Sequence, residues 1–147
     1  MKDVVTKLIY TPVPKAFVNA VWPDAKRVLE KSVATANGKI NLDDVYTGIL
    51  NDVYVLWLVL DDEQVIAAAT SRIEAYPGGQ KGLAVDWLGG SRMTEWLPLV
   101  QKTMSEYAKS NGCTHLEAFG RKAWARWLGK YGWKPEYVAY RMELNNG

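Results

Sequence analysis

Eight consecutive apolar residues, Val53-Tyr-Val-Leu-Trp-Leu-Val-Leu60, constrain this chain more than any other feature. The run places no polar side chain on either face and is rich in β-branched residues, so it predicts a central strand covered by helices on both sides. Asp61-Asp62 ends it, and a second strand from Gln64 to about Glu74 follows so closely that the pair reads as an antiparallel hairpin. The run is far shorter than the roughly 20 residues needed to cross a bilayer, and the N-terminus carries no apolar stretch of the signal-peptide kind. The expectation is a cytoplasmic chain with no membrane contact.

The remaining elements fall around this hairpin. Leu8 to Pro14, broken by Pro12 and Pro14, reads as an edge strand or entry loop, because proline cannot donate to a central ladder. Ala25, Val28, Leu29, Val33 and Ala36 recur at helical spacing from Pro23 to Thr35, and Asn37-Gly38 supplies a left-handed stop. Asn41 is placed to cap a second helix through Leu42, Val45, Ile49 and Leu50, with Asp43 and Asp44 at its positive end. Tyr76 to Gln80 is a turn, Leu83 to Leu88 a third strand, and Gly89-Gly90 its end. A long helix then carries Trp96, Leu97, Val100, Met104, Tyr107 and Ala108 on one face, with Pro98 favouring Thr94 as its N-cap. His115 to Phe119 reads as a short strand, Ala123 to Tyr131 as a compact helix ended by Gly132, and the alternation of Val138, Tyr140, Met142 and Leu144 as a last strand. The order is that of one α/β domain over residues 1–147, with a mixed, mostly antiparallel sheet and helices on both faces.

A net charge of +2, with Lys and Arg scattered along the chain, argues against a nucleic-acid partner. Cys113 is the only cysteine and His115 the only histidine, which removes a disulfide framework and a cysteine-based metal site. On one strand the two would share a face, with no third group in view to orient the imidazole as a base. Seven Trp and eight Tyr exceed what a small core needs and leave aromatic surface for a protein partner or a homo-oligomer.

Two passages carry a family resemblance. Ala108-Lys-Ser-Asn-Gly-Cys-Thr-His-Leu116 is similar to the passage from long helix into fifth strand of the GNAT acyltransferases, and Gly120-Arg-Lys-Ala-Trp-Ala-Arg-Trp-Leu-Gly-Lys-Tyr-Gly-Trp133 resembles their closing helix. The detailed likeness runs from about Val53 to Leu144. Within that superfamily the chain most resembles short proteins of bacteriophages and prophages, some of them virion components, through its Leu-Trp-Leu-Val strand, Gly-Arg-x-x-Trp turn and terminal Gly-Trp. The resemblance implies transfer of an acyl group from acetyl-CoA or another acyl-CoA to an amine substrate. It equally implies an alternative, a non-catalytic module built on the same fold.

The resemblance also assigns residues. The family's pyrophosphate loop, Q/R-x-x-G-x-G/A, aligns with Arg92-Met-Thr-Glu-Trp-Leu97, so Arg92 is retained while Glu95 and Leu97 fill the two small positions. Such a loop works because first-turn N–H groups lack intrahelical partners and glycine lets phosphates approach them. Gly89, Gly90, Arg92, Glu95, Trp96 and Arg121 are therefore the candidate cofactor-binding residues, Gly89-Gly90 as a displaced phosphate cradle and Arg121 as a phosphate clamp. Leu128 stands where many family members have the tyrosine that protonates the departing thiolate, and Tyr131, one turn on, is the candidate replacement. Asp86 and Glu74, carboxylates interrupting strand sequence, are the candidate bases.

Overall fold

The computed structural model describes residues 7–120 and 124–144. Its five strands are β1 (Leu8–Pro12), β2 (Val55–Asp61), β3 (Gln64–Ala75), β4 (Lys81–Gly90) and β5 (His115–Glu117), hydrogen-bonded in chain order. The first four pair antiparallel and β5 runs parallel to β4. The helices are α1 (Lys15–Ala34), α2 (Leu42–Leu50), α3 (Met93–Ser110) and α4 (Ala125–Leu128), the last followed by a 3-10 turn over Gly129–Tyr131.

The apolar run behaves as its composition demands. Leu56 and Leu58 pack among Val18, Ala25 and Leu29 of α1 and Val45 and Ile49 of α2. Trp57 and Val59 point the other way, into a cluster with Trp96, Leu97, Val100 and Met104 of α3. Successive side chains of one strand thus feed two cores, one on each face of the sheet. Trp57 is fixed by stacking on Tyr10 at 5.0 Å, by an edge contact with Tyr107 and by donating its Nε1–H to Ser71 Oγ at 2.9 Å. No helix among the described residues is long and apolar enough to cross a membrane.

Four local expectations need correction. Helix α1 begins at Lys15, eight residues before the expected start, and carries Pro23 inside it. Its buried stripe, Val18, Trp22, Ala25, Leu29 and Val33, continues through the proline, which itself faces solvent, where water can satisfy the carbonyl it leaves free. Helix α3 begins at Met93 after a left-handed Arg92, so Pro98 lies in its second turn. β4 does not stop at Leu88 but runs on through Gly89 and Gly90, which pair with Ala68 and Ala67 as its last residues. The segment holding Val138, Tyr140, Met142 and Leu144 forms no strand, and those four side chains are 70–91% exposed. β5 stops after three residues and offers too short an edge to template it, while Arg141 reaches across to donate to the Asn37 carbonyl at 3.1 Å.

Helix α2 matches its expectation closely. Asn41 Oδ1 accepts from the Asp44 amide at 2.9 Å while Asp44 accepts from the Asn41 amide at 3.0 Å, a reciprocal capping box. Asn41→Ala is expected to lower the unfolding free energy by about 1 kcal/mol, measured by urea denaturation, because the Asp44 amide loses its acceptor.

Candidate functional site

The site begins with an irregularity in β4. Ala69 pairs with Leu88 and Ser71 with Val85, so Asp86 and Trp87 together oppose Thr70 alone. Such a bulge bends the strand that carries it. β5 runs beside β4 only from Gly82–His115 to Ala84–Glu117, two residues short of the bulge, and the strands then part. The gap between them opens a cavity of about 1820 Å³, lined by the C-terminal half of α1, by β4 and β5, by α3 residues including Gln101 and Met104, and by Lys134 to Ala139. It reaches both faces of the sheet, because its walls include α1 on one side and α3 on the other.

Asp86 lines this cavity with a side chain 10% exposed. Arg72 holds it with two bonds, Nε to Oδ2 at 2.6 Å and a longer one to Oδ1 at 3.4 Å, and reaches Glu74 at 3.1 Å. The two candidate bases are thus joined through one guanidinium. Burial alone would lower the pKa of Arg72; the hydrogen bond and charge of Asp86 and the charge of Glu74 outweigh it and raise it. Arg72 thus takes both oxygens of Asp86, and Glu74 lies outside the cavity lining.

Gly89 and Gly90 also line the cavity, for a packing reason. A Cβ on Gly89 would run into the backbone carbonyl of Val28, so α1 rests directly on β4 there. Gly90, at φ 146°, could carry no side chain without meeting the Ile66 carbonyl and Ala67. Gly89 thus allows α1 to rest on β4, and Gly90 allows β4 to lie close against β3.

Arg92 does not line the cavity. Its guanidinium binds Glu95 through Nε at 2.8 Å and Nη2 at 2.9 Å, and it also pairs with Asp61. The hydrogen bonds it donates to Glu95 and then to Asp61 raise its pKa, and the Arg92 bond lowers that of Glu95. Trp96, expected at the cofactor, is instead 1% exposed in the α3 core, its Nε1–H donating to the Ser91 carbonyl at 2.6 Å. Neither Trp96 nor Trp87 lines the cavity. Tyr131 packs against the α3-side core, while Leu128 and Trp124 do face the cavity. Arg121 lies outside the described residues.

A cluster that the sequence reading passed over lies over the paired stretch of β4 and β5, at Gly82. Glu117 accepts from the Tyr76 hydroxyl, 2.9 Å from Oε1 and 2.7 Å from Oε2, and its Oε1 lies 2.9 Å from His115 Nε2. The Tyr76 ring stacks on the imidazole at 6.2 Å, and His115 Nδ1 is 2.9 Å from Thr114 Oγ1. The hydrogen bond to Glu117, then desolvation, raises the pKa of Tyr76 to about 12. Tyr76, His115 and Glu117 all line the cavity. Cys113 is no part of this group: it follows the end of α3, its amide bonded to the Ala108 carbonyl, and packs into the α3-side core. The sequence signal was present in His115-Leu-Glu117, whose two-residue spacing puts both side chains on one face. Among the described residues no cluster of His, Cys, Asp and Glu is placed to hold a metal ion.

No family model and no curated protein matches the sequence. Solved structures match its fold along nearly the whole chain. An aminoglycoside acetyltransferase from an uncultured soil metagenomic sample superposes with a TM-score of 0.72 at 8% identity, covering 95% of this chain and 99% of that one. A predicted acetyltransferase from Clostridium acetobutylicum, solved with acetyl-CoA, gives 0.67 at 16% identity over 95% and 96%. Glucosamine-6-phosphate N-acetyltransferase from Arabidopsis thaliana gives 0.66 at 12% identity over 95% and 99%. With a five-stranded sheet parted between β4 and β5 and helices on both faces, the chain has the fold of the GNAT acetyltransferases.

Proposed function

We propose that this chain is an acyl-CoA-dependent N-acyltransferase in which a thioester enters the opening between β4 and β5 and a substrate amine attacks it directly. The carrying observation is the parting of these strands just before the Asp86–Trp87 bulge, which leaves a passage through the sheet instead of a sealed core. Backbone groups of β4 beyond Ala84 lose their β5 partners there, and such groups can hold the amides of a pantetheine arm as a further strand would. The solved acetyl-CoA complex of the same fold supports acetyl-CoA as donor, and the aminoglycoside acetyltransferases support an amine acceptor. The domain acts as one unit over residues 1–147.

The donor's pyrophosphate meets a different α3 N-terminus from the one the resemblance implies. Arg92 is engaged by Glu95 and Asp61, and Glu95 puts a negative charge beside the first-turn amides. Glu95→Gln is therefore expected to tighten acetyl-CoA binding about twofold to fivefold, read by calorimetric titration, as one repulsive charge goes and Arg92 is released.

A second reading is favoured by one observation, the exposed apolar segment with Val138, Tyr140, Met142 and Leu144. In it the chain is a non-catalytic module, phage-encoded and virion-associated, that uses this surface for protein contact. Calorimetry with acetyl-CoA separates the two. Micromolar binding, with about 2.7 kcal/mol of added stability at 100 times the dissociation constant, supports the transferase. Absence of heat and of any thermal shift at millimolar acetyl-CoA leaves the module.

A further inference from the structure

Resting on the acyltransferase reading, we propose that Glu117 is the group that receives the acceptor's ammonium and takes its proton, with His115 and Tyr76 as positioning residues. Four observations converge on it. Glu117 belongs to the last paired position of β5, opposite Ala84, and its carboxylate leans back over Gly82 and lines the cavity. Its side chain is only 13% exposed, which strengthens attraction for a cation that displaces water there. Its charge is less neutralised than that of Asp86: Arg72 takes both oxygens of Asp86, whereas Glu117 accepts from a neutral hydroxyl and has His115 as its one ion-pair partner among the described residues.

The fourth observation is that the cluster has a seat. A Cβ on Gly82 would overlap Glu117 Oε1 and lie 2.6 Å from His115 Nε2, so the missing side chain is the space these groups occupy. The tyrosine above and the imidazole beside the carboxylate then fix its two oxygens, leaving a lone pair for a third donor from the cavity. With neutral His115 donating Nε2–H to Glu117, the Thr114 hydroxyl donates to Nδ1; if His115 takes up a second proton, that hydroxyl can turn to the Lys81 carbonyl, 3.1 Å away.

The step balances. Of the three hydrogens on the acceptor ammonium, one passes to Glu117 and then to solvent. The freed lone pair forms the C–N bond at the thioester carbonyl as the C–S bond breaks. A second hydrogen leaves the nitrogen and ends on the thiolate as the thiol, and the third stays on the amide.

Because His115 is the only histidine, its ring signals report on this cluster alone. We would titrate the protein, saturated with acetyl-CoA, with n-propylammonium and follow the His115 ring by NMR, in wild type and Glu117→Gln, with calorimetry of acetyl-CoA on both. The expected result is a saturable His115 shift in wild type that Glu117→Gln abolishes, with donor affinity unchanged within twofold and the fold retained by circular dichroism. Tyr76→Phe should weaken the amine response severalfold without abolishing it. An equal shift in Glu117→Gln, or none in wild type with acetyl-CoA bound, overturns the assignment. Loss of acetyl-CoA binding in both proteins would instead sink the donor reading and leave the amine response, run without donor, to decide the role of Glu117.

Discussion

Trp96→Ala is expected to lower the unfolding free energy by about 3–5 kcal/mol, the range for deleting a large buried aromatic side chain. Trp96 is among the largest fully buried side chains of the protein and sits where the first turn of α3 meets the sheet, in the cluster of Tyr10, Trp57, Val59 and Ile66. Its removal leaves a cavity and also strips the Ser91 carbonyl of the indole N–H that fixes the approach to α3. Urea denaturation measures the loss, and Trp96→Phe divides it: most packing is kept, and the remaining cost of about 1 kcal/mol is that of the hydrogen bond. A Trp96→Ala protein within 1 kcal/mol of wild type would show that the indole is not a core residue. The same variant tests an exclusion. Were Trp96 a donor-binding residue, its loss would weaken acetyl-CoA at unchanged stability.

Gly89→Ala is the second large effect, about 1–3 kcal/mol or more, from overpacking at a site where the obstruction is backbone and not a flexible side chain. The Val28 carbonyl belongs to α1, whose next turn is also tied to β4 by the Leu88 amide donating to Ser32 Oγ at 3.2 Å. Relief requires lifting the whole helix from the strand. Since α1 residues between Arg27 and Ala34 wall the cavity, the lift also widens it. Thermal unfolding beside Gly78→Ala, where an added Cβ meets nothing within 4 Å, is the comparison to make. Equal melting temperatures in the two variants would rule out the close approach.

The fold was readable where physical signals reinforced one another. The Val53–Leu60 run, the Asn41 cap with its acidic first turn, and the Asn111-Gly112 end of α3 each combined periodicity with terminal chemistry, and each lies within two residues of its expected bounds. It was misread where one strong local rule competed with packing. Pro23 and Pro98 argue for helix boundaries by backbone chemistry, yet the apolar stripes run on through both, and burial of residues such as Val18 and Trp96 outweighs one lost hydrogen bond each. The reverse holds for the Val138 to Leu144 alternation, a correct strand pattern without a partner edge.

The site was less legible, for a different reason. Asp86 and Glu74 stand out in sequence as carboxylates in strands, but only the register of β3 against β4 brings Arg72 between them. Glu117 and His115 come from one strand and Tyr76 from a turn some forty residues earlier in the chain, and what gathers them is the parallel pairing of β5 with the start of β4. Gly82 reads as an ordinary strand glycine until its neighbours are known.

The opening through the sheet depends on one surplus residue. Were either Asp86 or Trp87 missing, β4 could pair evenly with β3 and run straight, and β5 could zip along it past Glu117. The pairs on either side of the bulge, Ser71 with Val85 and Ala69 with Leu88, would keep their partners and their faces, so Gly89 would still lie against the Val28 carbonyl. A continuous sheet is therefore a single deletion away: the opening rests on the Asp86–Trp87 bulge and not on the seat of α1.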